Sequence, residues 1–414
     1  MAKRENTASP FGAEVRLLLQ AAMVIFLVTV IVGILNGLDV IDFDRKTLLA
    51  HVHAGTLGWI TLGFFAACLW LFSERQPLSG WRARSPRPLS WAATVAIAFY
   101  VVAFYSGNLT ARLIGGSVTL IAIVWFFAWV VAQSRRVRLS TPHLGMLAAA
   151  TTLTLGAVLG VVLGVWLKGG LRFLPAEILN SHPVPLIVGY LILAGMAVSE
   201  WRLNPASVHS PASRAGWAQV VLPFIGGLVV TVGAVLNNQA LIGLYVPLEV
   251  TGVAIYVVRL RRHVVGAAWL AGNHERLFAI SALFLVANVG LFTYLIVSLL
   301  GGAYGDPPDF VLMPAWLIFA MDHAMFIGVL SNVLFGLVYE ATGARRSFWP
   351  WADHVLFWGM NVGVVGFVVG LIMQEAIIKQ IFTPIMGTSI LLGMATYTVR
   401  LRTGASENIP VQAG

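Results

Sequence analysis

Two histidines, His51 and His53, open an apolar run that extends from Leu48 to Phe72. An imidazole in hydrocarbon is costly unless it meets a packed interior or a ligand, so a ring at this place is a functional candidate by default. Side chains two apart on a helix diverge by about 200°, so at most one of the pair can face a given partner. A third ring, His323, lies nine residues into the apolar run 314–339. At 1.5 Å per residue, His53 and His323 sit at similar depth, roughly 8–14 Å below the same membrane face. Two neutral imidazoles at one depth on different helices are what a bis-histidine haem needs: one nitrogen from each side of the iron, with the porphyrin in an apolar slot. The alternative is two separate histidines, each hydrogen-bonded within its own helix packing.

The elements that must position these rings follow from composition. The chain has 414 residues, 58% apolar and 10% charged, which excludes a soluble globular domain. Twelve apolar segments fit the hydrocarbon thickness, near 15–37, 48–72, 88–106, 108–133, 143–167, 180–201, 216–236, 238–258, 277–300, 314–339, 352–373 and 381–400. The expected fold is all-α: one polytopic membrane domain, a bundle of twelve transmembrane helices embedded in a lipid bilayer. With both termini in the cytoplasm, 20 of the 26 Lys and Arg residues fall on that side. The six on the other side are Arg45, Lys46, Arg112, Lys168, Arg172 and Lys379. This asymmetry implies a bacterial-type inner membrane protein, and it accounts for the net charge of +9 without nucleic acid. The single cysteine, Cys68, excludes an intramolecular disulfide and any multi-cysteine metal site. The polar, basic start of the chain precedes a first run with no small-residue cleavage pattern, so that run reads as a retained span. No internal repeat is evident.

The remaining histidines sort by side. His182 begins the sixth run at the outer end, and His354 begins the eleventh at the cytoplasmic end. His143, His209, His263 and His274 lie in or beside cytoplasmic loops.

At these residues the sequence resembles the catalytic subunit I of the haem–copper oxidase superfamily, closest to its nitric oxide reductase and cbb-type branches. The family's second span carries a low-spin haem histidine in a His-Thr-Asn-Leu-Leu setting, and His53-Ala-Gly-Thr-Leu is similar, with His51 an extra. Its tenth span carries His-x-His followed by an aromatic and a glycine. Here Met321-Asp322-His323 precedes Phe326 and Gly328, so His323 falls on the low-spin ligand and Met321 on the high-spin position. A His-His pair for copper is matched by Asn237-Asn238, with Ile242-Gly243 following, and the third copper histidine by His182 in Asn180-Ser181-His182-Pro183. The stretch from Phe357 to Gly370 is similar to the eleventh span.

The resemblance implies one haem b, held by His53 and His323, and a lost binuclear centre, with copper not expected. One imidazole of three cannot hold that second metal, because asparagine amides are poor substitutes. A six-coordinate haem moves electrons and leaves no open position for a gas. The implied role is electron transfer, or a haem-based part in respiration or nitric oxide metabolism. The electron donor would be a cytochrome c or a quinol, and partner subunits are implied. Two alternatives stay open: an active terminal oxidase or nitric oxide reductase with unusual ligands, and a transporter or carrier of haem, copper or a small solute. His51 and Lys379, the latter in the loop before the twelfth run, are candidate contacts for haem propionates. Glu249, in mid-span, is a candidate proton carrier, against a protonated glutamate bonded across helices. Asp322 points away from His323. Met321 reads as packing filler more readily than as an axial ligand.

Overall fold

The computed structural model describes residues 9–73, 78–174, 181–305, 312–343 and 348–402. Lys3, Arg4, Arg75, Asn180, Arg345 and Arg346 lie outside the described residues. Among the described residues there is no strand, and twelve helices are long and apolar enough to cross a membrane. They are α1 (Gly12–Gly37), α2 (Arg45–Ser73), α3 (Pro86–Ser106), α4 (Leu109–Ser134), α5 (Thr141–Leu167), α6 (Pro185–Leu203), α7 (Arg214–Val235), α8 (Gln239–Val265), α9 (Glu275–Leu300), α10 (Ala315–Ala341), α11 (Pro350–Ile372) and α12 (Ala376–Arg402). Hydrocarbon leaves each backbone polar group to be satisfied within its own segment, which makes the helix the only form these runs can take.

Local chemistry sets several helix starts. The Asp44 side chain accepts from Thr47 N–H (2.9 Å) ahead of α2, and Asn108 accepts from two amides ahead of α4. Asn237 takes the left-handed turn between α7 and α8 at φ 48°, and Asn238 caps α8 by accepting from Leu241 N–H. Both asparagines are exposed. Turn and cap geometry hold these two residues between α7 and α8.

Three helices are interior. In their 18-residue apolar stretches, 83% of α2, 83% of α6 and 72% of α10 is buried, against 33–50% for the other nine. The inner three touch one another through Trp59 Nε1–H to Ser331 Oγ (2.9 Å) and Tyr190 O–H to Thr61 Oγ1 (3.3 Å).

Each inner helix also contains a π-helical stretch: Ala54–Thr61, Pro185–Leu191 and Ala324–Ser331. Such turns are rare and cluster at functional sites. In two of them a hydroxyl satisfies the carbonyl five residues back, Thr61 to Thr56 O (2.9 Å) and Ser331 to Phe326 O (2.8 Å). The fifth residue of each stretch is a glycine laid against a different neighbour. A Cβ there would meet Ile25 of α1 at 2.2 Å for Gly58, Thr152 of α5 at 2.8 Å for Gly189, and Phe284 of α9 at 2.5 Å for Gly328. The twelve helices thus repeat three times in groups of four, a pattern not seen in the sequence.

Candidate functional site

Directly before the π stretches stand His53, Val184 and His323, and two residues earlier His51, His182 and Met321. Three of these six positions lie on one face of the repeat and three on the other, and four carry imidazoles. All four rings are half-buried at the same end of the bundle, where α2, α6 and α10 begin.

Each ring is held the same way. His51 Nδ1 meets Thr29 O (2.9 Å), His182 Nδ1 meets Gly156 O (2.9 Å), His53 Nδ1 meets Leu49 O (2.8 Å), and His323 Nδ1 meets Phe319 O (2.8 Å). A carbonyl only accepts, so Nδ1 must carry the proton, and the neutral ring then presents a bare lone pair at Nε2. This is the tautomer that ligates a metal, with the carbonyl fixing the ring's orientation.

The repeat extends to the surroundings. Four residues past Ile25 and Thr152 come Thr29 and Gly156, whose carbonyls anchor His51 and His182. Eight residues past them come Gly33 and Gly160, where a Cβ would lie 3.2 Å from the His51 ring and 2.7 Å from the His182 ring. Glycine is required there because the imidazole takes the space. In the third repeat the matching residues past Phe284 are Asn288 and Phe292. Asn288 Nδ2 donates to Met321 O (2.7 Å), as Thr29 Oγ1 donates to His51 O (3.2 Å). Phe292 and Val184 are partly buried and pack against the apolar cluster that holds Met321, with Phe292 edge-on to Tyr245.

The four rings form two pairs. His51 and His323 lie within electrostatic reach of one another, and so do His53 and His182. His323 leans on Phe367 of α11 (4.5 Å between ring centroids), while His53 stacks on Phe104 of α3 (3.7 Å). His51, and not the expected His53, is the α2 ring within electrostatic reach of His323, while His53 lies against α3. Gly58 of α2 lies against Ile25 of α1, and the His51 ring lies against Gly33 of α1; these close approaches set the rotation of α2.

Other expected residues take other places. Lys379 lies in the first turn of α12, not in a loop, and donates to both oxygens of Asp39 (2.7 and 2.9 Å). That bond, joined by Gln380, holds the Asp39 carboxyl below its usual range and ties α12 to the turn after α1. His182 sits beside α5, paired with His53. Glu249 is buried in α8 with neither carboxylate oxygen bonded among the described residues, and the Tyr245 hydroxyl one turn away is likewise unbonded. Asp322 is half-buried. Gly33, Gly160, Phe104 and Phe367 were not singled out by sequence. The signal was there in His53-x4-Gly58 and His323-x4-Gly328 at one spacing.

Among the described residues, no group of three or more His, Cys, Asp or Glu side chains could hold a metal ion. No protein-family model matches the chain, and no curated protein matches it significantly.

Proposed function

We propose that the chain is a haem-binding membrane protein that transfers electrons, a divergent relative of haem–copper oxidase subunit I, with His51 and His323 as the axial ligands of a haem b. The observation that carries this reading is that His51 of α2 and His323 of α10 lie within electrostatic reach of one another, each with Nδ1–H spent on a backbone carbonyl and no bond to Nε2 among the described residues. Two imidazoles are too few for a bare ion in this protein but complete the set for an iron that brings four nitrogens of its own. The donor set therefore fits the group. Bound there, a haem would supply a one-electron couple. The Thr29 and Phe319 carbonyls would fix the ring planes and, by raising ligand basicity, tune its potential.

A working oxidase or reductase needs an open iron and a second metal. Of the residues that resemble the copper set, only His182 is an imidazole, and it lies against Gly160 of α5 within electrostatic reach of His53. The proposal extends to an inner-membrane location with cytoplasmic termini, supported by the Lys and Arg asymmetry. A cytochrome c or a quinol would be the donor.

The test is the dithionite-reduced spectrum of the purified protein with haem extraction. His51→Ala and His323→Ala are expected to remove the same b-type component. Purified protein without haem would overturn the reading, as would loss of that component with His53→Ala and not with His51→Ala.

A further inference from the structure

We propose that His53 and His182 form a second bis-imidazole site, on the far side of α2 from the first, and that it takes the same class of cofactor, an iron porphyrin. The chemistry of the ligand rests on the haem reading above; the place rests on different residues.

The argument is one of matching position. In the first cleft, a ring directly before a π stretch (His323) pairs with a ring two residues before the next inner helix's π stretch (His51). Moving one repeat along the chain, the same two positions are His53 and His182. The anchors match as well: His53 and His323 each bond the carbonyl four residues back in their own helix, while His51 and His182 each bond a carbonyl of the helix four before the next repeat's start, α1 and α5. Gly33 and Gly160 make room for the two rings in the same way. Helix-packing histidines with unrelated roles have no reason to share tautomer, anchor and clearance.

The third cleft serves as an internal control. There the two positions are Val184 and Met321, and the glycine is replaced by Phe292; all three belong to one apolar cluster or pack against it. Where no ligand pair exists, the matching positions are apolar. Where the pair exists, small residues stand beside it: glycine at 33 and at 160 leaves room for each ring, and no residue of α5 from 157 to 167 is buried, although 141–146 at its other end all are.

A bare ion is the weaker fit, for two imidazoles leave most of a coordination shell unmet and no third His, Cys, Asp or Glu joins them among the described residues. A macrocycle needs only the axial pair and an apolar wall, which Tyr100 and Phe104 of α3 provide beside His53. Porphyrin carboxylates need a cation near the membrane face. Arg112, in the first turn of α4, lies over Phe104 (4.8 Å) and within electrostatic reach of His53. Its Nε–H is buried with no partner among the described residues.

The experiment is haem stoichiometry per chain in the purified protein, with optical and EPR spectra, for wild type, His53→Ala, His182→Ala, Gly160→Phe and His323→Ala. Gly160→Phe copies the third repeat's residue and crowds the His182 ring while leaving both imidazoles in the chain. The expected result is two haems in wild type and one in each of His53→Ala, His182→Ala and Gly160→Phe, with the His323-dependent component retained as proof of folding. One haem in wild type, unchanged by His53→Ala and His182→Ala, would overturn the second site and leave the first standing. Haem-free wild-type protein would overturn both. One non-haem metal lost with His182→Ala, with no second haem, would overturn the porphyrin assignment.

Discussion

The two ends of the inner helices are built on opposite terms. From Gly58 to Ser73 every residue of α2 is buried, whereas from Arg45 to Leu57 only Thr47, Ala50 and Ala54 are. In α6 and α10 the stretches after the π turns are buried in the same way, with Arg202 and Glu340 the half-buried exceptions. Charge follows the division. At the tightly packed end, ionised groups satisfy one another: Glu200 with Arg259 (2.6 Å) and Gln219 (2.8 Å), Arg202 with Glu340 (3.0 Å), and Asp353 with Arg400 (2.8 Å) and Tyr397 (3.0 Å). At the histidine end the four rings are half-satisfied: Nδ1 of each is bonded to a carbonyl, and Nε2 has no bond among the described residues. The lesson is that close packing and half-bonded imidazoles are kept to opposite ends of the same three helices. The closed end supplies close packing and paired charge, and the other end keeps space and unspent lone pairs.

That contrast can be broken or sharpened by mutation, taken here from the largest effect down. Asp353→Ala strands the fully buried Arg400, so a loss of about 3–5 kcal/mol is expected, read as failure to accumulate or a collapse of thermal stability in detergent; wild-type stability would mean the charged end is not an anchor. Gly58→Val forces a side chain into Ile25, and a loss of about 1–3 kcal/mol is expected, relieved in part by Ile25→Ala. His323→Ala in haem-free protein should cost about 1 kcal/mol or less, since the ring is half-buried and bonded only within its own helix. A cost as large as that of Asp353→Ala would erase the distinction between the ends. Smallest is the surface tie between Lys379 and Asp39, worth less than about 0.5 kcal/mol at its exposure. Because Asp39 is held below its ordinary carboxyl value of about 3.9, its contribution is present above that pH and fades as the pH falls through the lower folded value. In Asp39→Asn, acid unfolding curves should lose only that small increment.

Much of this was readable before the structure. Hydropathy marks all twelve helices because length and apolarity are properties of a local run. That His53 and His323 stand at matching levels along their helices was readable too, since rise per residue is fixed. The divergence of His51 and His53 was also predictable, but which of them faces His323 was not. Rotation about a helix axis in a membrane is set by where small residues permit contact, and glycine at 33 or 58 looks like any other glycine until its neighbour is known. The threefold repeat escaped notice because it is a repeat of position: the third copy carries Val184, Met321 and Phe292 where the others carry imidazoles and glycine. The π turns leave no mark in composition at all.

Those turns carry a consequence for insertions and deletions. A π turn holds one residue more than the α-helix it interrupts, so it offsets the azimuth of everything before it against everything after it. Excising a single residue between 54 and 61 would let α2 close into uniform α-helix. Its packed half would stay anchored, and the first half would swing by about 100° and shift by about 1.5 Å. His51 and His53 would both leave their partners while every ligand-bearing residue remained in the chain. A length change of one, invisible to any count of histidines, would thus unmake both clefts on either side of this helix.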